Sequence, residues 1–227
     1  MRRNFERDAV NKVAEYIQDN PDGMSVLKKR LGLWRFPKLK DMLSDSQSPQ
    51  MEVCKLFLHP DIDILLSQEA ELAPKLIGVE VKAIYIRKWR QANIQYYEGL
   101  DEAIALLRFG LDAVRLWQVF VMPETDENAR EQMISRFVEY QLPMRDIIRT
   151  LQLPIGYTPS FDFANGNQLS RNPFKVVDLK DSDGVPYGGK LILPPRSNPF
   201  LNSLLRCPTV IRNFLLEKYL RKHHTCK

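Results

Sequence analysis

Between His59 and Ile86 the chain reads HPDIDILLSQEAELAPKLIGVEVKAIYI, two apolar runs joined by a polar connection that contains Pro74. β-Branched and aromatic residues crowd both runs, which predicts strands over Ile62–Leu66 and Leu76–Ile86 with a hairpin-type turn between them. Met51–Leu58 reads as a strand on the same pattern. Upstream, Glu6, Val10, Val13 and Ile17 recur at helical spacing, so residues 4–18 read as a helix that Asn4 caps and the NPDG stretch (Asn20 to Gly23) ends. A short helix or turn is expected over Ser25–Leu31, before the polar break SDSQSPQ at Ser44–Gln50. Leu100, Ala103, Ile104 and Leu107 give a helical stripe within Gln95–Gly110, with Gly110 as its stop. Asp112–Val121 alternates as a further strand. The order is helix, three strands, helix, strand, and a crossover through a helix returns the last strand parallel to the one before it.

After Pro123 the pattern changes. Residues 127–141 and 144–153 read as helices, and residues 154–199 are rich in Pro, Gly and Asn with short strand candidates at Phe174–Leu179 and Lys190–Pro195. Residues 200–222 close the chain as helix. The expected fold class is mixed α/β, with a core over residues 1–123 and a helical, loop-rich C-terminal elaboration over 124–227.

Composition narrows the class. The 227 residues are 44% hydrophobic and 27% charged, the balance of a globular chain. No apolar run reaches the length of a membrane span, and no apolar stretch follows the first arginines as in a secretory signal. Cys54, Cys207 and Cys226 fit neither a disulfide framework nor a metal quartet, which points to a reducing cytoplasm. The formal charge of +5 is mild, but it is unevenly spread. Lys28, Lys29, Arg30, Arg35, Lys38 and Lys40 crowd one acid-free stretch with Trp34 and Phe36 among them, and Arg87, Lys88 and Arg90 follow the second strand of the hairpin directly. Such clusters favour a phosphate-rich partner over a merely solvated face. A Gly-rich phosphate loop and a nucleophile elbow are both absent from the sequence, DLKDSDG (Asp178 to Gly184) reads as a turn, and His59 reads as a structural hydrogen-bonder.

The apolar runs carry charge where a plain strand would not. Alternation puts Asp61 and Asp63 on one face, and likewise Glu80 and Lys82. A hairpin symmetric about residues 71 to 72 sets Asp63 opposite Glu80; a shift of one residue favours Asp61. Unpaired, such buried ions would cost several kcal/mol each. A divalent cation held through carboxylate oxygens would remove most of that cost. The plainer alternative is a salt-bridged pair at a strand end.

These residues, Pro60-Asp61, Asp63 and Glu80-Val81-Lys82 within that order of elements, resemble the PD-(D/E)XK nuclease superfamily over about residues 4–121. The resemblance implies a restriction-endonuclease-like core, a central mixed sheet flanked by helices, and a metal-dependent endonuclease acting on DNA. It implies that Asp63 (or Asp61) and Glu80, with the main-chain carbonyl of Val81, bind Mg2+ or Mn2+. Lys82 would orient the attacking water or offset transition-state charge, and Glu6 is the candidate acid from the first helix. Lys28, Lys29, Arg30, Arg35, Arg87, Lys88 and Arg90 would hold the backbone, with Trp34, Trp89 or Tyr97 for stacking. Many such proteins work as homodimers. The Gln-x-x-x-Tyr spacing of one branch is not met by Gln91, Gln95, Tyr96 and Tyr97. A second reading is a non-catalytic nucleic-acid or protein-binding module on the same fold.

Overall fold

Six strands form one mixed sheet in sequence order, β1-β2-β3-β4-β5-β6. The computed structural model describes residues 2–19, 21, 23–44, 58–71, 73–86, 97–123, 141–165, 168–169, 195–202 and 206–220. The elements are α1 (Arg2–Asp19), β1 (Met24–Leu31), α2 (Pro37–Ser44), β2 (Ile62–Gln68), β3 (Lys75–Tyr85), α3 (Leu100–Leu106), β4 (Ala113–Pro123), α4 (141–150), β5 (Ile155–Asn165), β6 (Gln168–Leu169) and α5 (Arg206–Leu215). β1, β2 and β3 run antiparallel, β3 to β4 and β4 to β5 are parallel, and β6 turns back antiparallel. α3 is the crossover between β3 and β4, so the parallel return expected from the sequence is present.

The period-two alternation divides the core between the two faces of the sheet. Ile77, Val79 and Val81 of β3 pack with Val119 and Val121 of β4 against Phe5, Ala9, Val10, Val13 and Ile17 of α1. The other face holds Leu65, Leu76, Leu116 and Tyr157 under Leu39 and Leu43 of α2, Ala103 and Leu106 of α3, Ile148 of α4 and Phe214 of α5. Helices therefore cover both faces. Phe5 stacks on Tyr85 at 5.3 Å and 11°, and Lys12 pairs with Asp162 of β5 at 2.5 Å; both contacts fix α1 against the sheet. No helix among the described residues is long and apolar enough to cross a membrane.

Two expectations are corrected. Ser25–Leu31 is not a helix or turn but most of β1, whose Lys28, Lys29 and Arg30 are exposed. Among the described residues it is an edge strand, so its outward side chains need not be apolar and the alternation that marks a strand is weak there. Residues 154–199 are not short strands and loops throughout, because Ile155–Asn165 is a full strand in parallel register with β4 from Val114↔Ile155 to Pro123↔Ala164. The sheet thus continues past residue 123. The strand expected at Met51–Leu58, the helix at 127–141 and the strand candidates at Phe174–Leu179 and Lys190–Pro195 lie, single end residues apart, outside the described residues.

Asp112 joins the sheet to α5. Its carboxylate accepts the Leu76 N–H at 2.6 Å and pairs with Arg212 at 2.7 Å. Asp112→Ala should destabilise the chain by about 2 kcal/mol, since it leaves the Leu76 N–H without its acceptor and the half-buried Arg212 guanidinium with the Gly110 carbonyl but no counter-charge. Arg212→Ala should cost less, because the Leu76 bond survives; urea unfolding of the two variants checks the order.

Candidate functional site

The β2–β3 ladder runs from Gln68↔Lys75 to Ile64↔Val79. That register, continued by one residue, sets Asp63 opposite Glu80, which is the symmetric alternative read from the sequence. Asp63 then departs from simple pairing. Its Oδ2 accepts the main-chain N–H of Val81 at 2.8 Å, so the carboxylate itself closes the end of the ladder. Two residues beyond Glu80 on the same face, Lys82 extends its ammonium among three acids. It lies 2.9 Å from Glu80, 3.0 Å from Glu6 of α1 and 2.8 Å from Glu102 of α3.

Neighbouring elements hold that lysine. Gly99, at the N-terminus of α3, has φ +87, and a Cβ there would stand 2.5 Å from Lys82 Cγ and 2.9 Å from Leu116 Cδ1. Only glycine meets both demands, a left-handed backbone and a close approach to the lysine stem. Gln118, beside Lys82 in the β3–β4 register, donates to the Glu98 carbonyl at 3.0 Å and accepts from the Tyr157 hydroxyl at 2.8 Å. A buried chain of polar groups therefore fixes the turn that places Gly99 and Glu102.

The electrostatics follow from this crowding. Burial pushes the Asp63 carboxyl up to about 6, against the pull of the Val81 N–H and Lys82. Burial, then the charge of Asp63, raises Glu80 well above the carboxylate range. Burial also works against the Lys82 ammonium, but Glu80, Glu102 and Glu6 outweigh it and hold its pKa above the usual lysine value. For Glu102, burial is overcome by hydrogen bonds to Glu80 and Lys82, so its pKa falls. Glu80 is 1% exposed, and its Oε2 has no donor among the described residues. Between two ionised carboxylates none is available; a proton on Glu80, shared with Glu102, is what moves the pair in opposite directions. Four acids against one ammonium leave the cluster negative when all are ionised. Among the described residues, no group of three or more His, Cys, Asp or Glu side chains stands in metal-holding geometry.

The structure unites Asp63, Glu80, Lys82 and Glu6 from the expected set. It does not bring Asp61 to them. Asp61 Oδ1 accepts the Trp34 indole N–H at 2.7 Å and Oδ2 lies 3.7 Å from Arg35. Arg30 falls between Lys29↔Ile64 and Leu31↔Ile62, across β1 from Asp63. Its backbone is left-handed at φ 52, a conformation that costs about 1 to 3 kcal/mol for a residue with a side chain. Arg87, Lys88 and Arg90 lie outside the described residues. Glu102, which lies inside the stripe that runs from Leu100 to Leu107 but is not one of its apolar positions, was missed by the sequence reading. No family model, no curated protein and no solved structure matches the chain.

Asp63 binds its proton more tightly folded, near pH 6, than unfolded, near 3.8. Its favourable contribution is therefore full below about pH 4 and is lost as pH rises through 6. The metal-free protein should lose about 2 kcal/mol from this group over that window, allowing for its partial exposure. Asp63→Asn keeps an acceptor for Val81 and removes the titration. Its stability in EDTA should gain on wild type between pH 4.5 and 7.5, as read by urea unfolding.

Proposed function

We propose that the chain is a cytoplasmic, metal-dependent nuclease of the PD-(D/E)XK kind, with a restriction-endonuclease-like core, that hydrolyses phosphodiester bonds in DNA as an endonuclease. One observation carries the reading. Glu80 and Lys82 project from one face of β3 beside Asp63 of β2, and one oxygen of Glu80 is buried with no donor among the described residues. A buried carboxyl group in that state has room for a cation beyond the Lys82 ammonium.

The donors fit a hard divalent ion. Asp63 and Glu80 would hold Mg2+ through carboxylate oxygens, with the main-chain carbonyl of Val81, and Mn2+ suits the same set. When bound, the ion supplies polarisation of the phosphoryl oxygen and activation of water. Lys82, kept protonated by its acids, works as a fixed positive charge and not as a base. Its ammonium offsets the charge that develops on the phosphate oxygens in the transition state. Glu6 and Glu102 orient that ammonium from two different helices, and the Val81 N–H holds the Asp63 carboxylate. On β1, exposed Lys28, Lys29 and Arg30 lie one strand away from the acids, with Arg35 just beyond, and these position the sugar–phosphate backbone. Phosphodiester hydrolysis needs its barrier lowered by something on the order of 20 kcal/mol, and fixed charge at the phosphate is among the few effects large enough to contribute a main share.

The purified chain should cut DNA with Mg2+ or Mn2+. Glu80→Gln and Lys82→Ala should each lower the rate by roughly 100- to 1000-fold while circular dichroism stays unchanged. Wild-type protein inert on single-stranded, double-stranded and branched DNA with both ions sinks the enzyme reading. Metal-independent, salt-sensitive DNA binding would then identify a non-catalytic binder on this fold.

A further inference from the structure

Beside the acid cluster the surface forms a shallow, open cleft of about 570 Å3. Glu102 forms part of its wall, and the same carboxylate touches Lys82, so the cleft is continuous with the site above. The opposite wall is aromatic. The Trp34 indole stacks on the His59 ring at 5.6 Å and 27°, and the Arg35 guanidinium lies 4.8 Å from the Trp34 ring centre. His59 is exposed and Trp34 is 37% exposed, a large apolar surface to leave in water.

This wall is built, not incidental. Asp61 fixes the indole by its N–H, and Arg35 approaches the same carboxylate. Gly32 makes the convergence feasible: a Cβ there would stand 2.9 Å from Trp34 Nε1, 3.0 Å from Arg35 Nε and 3.0 Å from Asp61 Oδ1. Three polar groups close over a residue that has no side chain. The rigid aromatic wall is the product.

The chemistry of the lining selects an occupant. Apolar surface comes from Trp34, Pro60 and Ala105, while Asp61, Asp101 and Glu102 offer only acceptors, and among the described residues the lining includes no lysine or arginine. A phosphate entering this space finds acceptors, and the cations at its border, Arg35 and Lys82, are already engaged with Asp61 and Glu102. A flat, uncharged group with N–H donors meets aromatic faces and carboxylate oxygens. Nucleobases have that character, since each presents a π face and most carry amino donors. Lys28, Lys29 and Arg30 of β1 are exposed and absent from the described lining, and Arg35 is committed to Trp34 and Asp61 at its border.

We propose that this cleft is a subsite for one unpaired nucleobase of the strand being cut, which makes single-stranded or branched DNA the substrate class and continuous duplex the poor substrate. The inference rests on the nuclease reading for its reaction, but its own readout is binding. A base in a closed duplex reaches the cleft only by leaving its stack, a penalty that an unpaired base does not carry.

The test measures binding in EDTA of a single strand, a forked duplex and a blunt duplex of one sequence, with 2-aminopurine at an unpaired position of the first two. Wild type should bind the first two roughly 10-fold or more tightly than the blunt duplex, with a change in 2-aminopurine fluorescence. Ala105→Trp, which fills the cleft from the surface of α3, should erase both the preference and the fluorescence change and leave blunt-duplex affinity as it was. His59→Ala should act in the same direction and decides the matter if the first variant does not fold. Equal affinity of wild type for all three, a preference that survives both variants, uniform loss on every DNA, or no DNA binding at all overturns the subsite. Cleavage without the preference removes the subsite and spares the nuclease; the preference without cleavage does the reverse.

Discussion

Everything at this site depends on one ammonium group and the acids that hold it. Lys82 sits in the body of the sheet where burial disfavours its charge, and it stays charged because acids from α1, β3 and α3 reach it. Such a cluster is a poor way to gain stability, since desolvation takes back much of what the ion pairs return. It is an effective way to fix geometry, because each acid removed leaves the buried ammonium less compensated. Three elements far apart in the sequence are thereby set to one point. With Asp63 included, the acids still outnumber the lysine, and Glu80 keeps an oxygen without a donor among the described residues. The fold thus gathers more carboxyl groups at this point than the single ammonium can balance.

The backbone makes that arrangement rigid. The hairpin register puts Asp63 across from Glu80, and the parallel register with β4 puts Gln118 beside Lys82. Through Gln118 the lysine is coupled to Tyr157 of β5 and to the Glu98 carbonyl at the entry to α3. Residues beyond the first four strands therefore contribute to the placement of Glu102. The C-terminal part of the chain is not a bystander to the site.

What could be read in the sequence was whatever alternation and local turn chemistry determine. The hairpin, the α1 stripe, the parallel crossover and the pairing of Asp63 with Glu80 belong to this kind. What escaped depends on position in the sheet. Among the described residues β1 is an edge strand with exposed Lys28, Lys29 and Arg30 and an irregularity between Val26 and Lys28, so its apolar alternation is broken. β5 contains Gly156 and Pro159, which read as loop. A proline is tolerated there because β6 covers β5 only at Ala164 and Asn165, and no described partner needs the missing N–H. Asp61 looked equivalent to Asp63 because alternation treats them alike, yet the Trp34 indole engages it from a distant turn. Glu102 had no strand or motif to mark it. Only the packing of α3 over β3 shows that it faces inward to Lys82.

The distribution of charge also orders events under the proposed function. Basic residues lie on the β1 edge and on Arg35, while the acids lie one strand further in. A nucleic-acid backbone therefore finds attraction at the rim and repulsion at the centre. With its carboxylates ionised and no added cation, the centre opposes the very phosphate it would act on. The cation must enter before the scissile phosphate or together with it, and only then does the local field change sign. Salt and metal thus act on separate parts of the surface: salt weakens the hold of the rim on the strand, and the ion decides whether a held strand reaches Lys82. Under the proposed function, acids beneath a basic rim are the arrangement that a cation-dependent reaction would use.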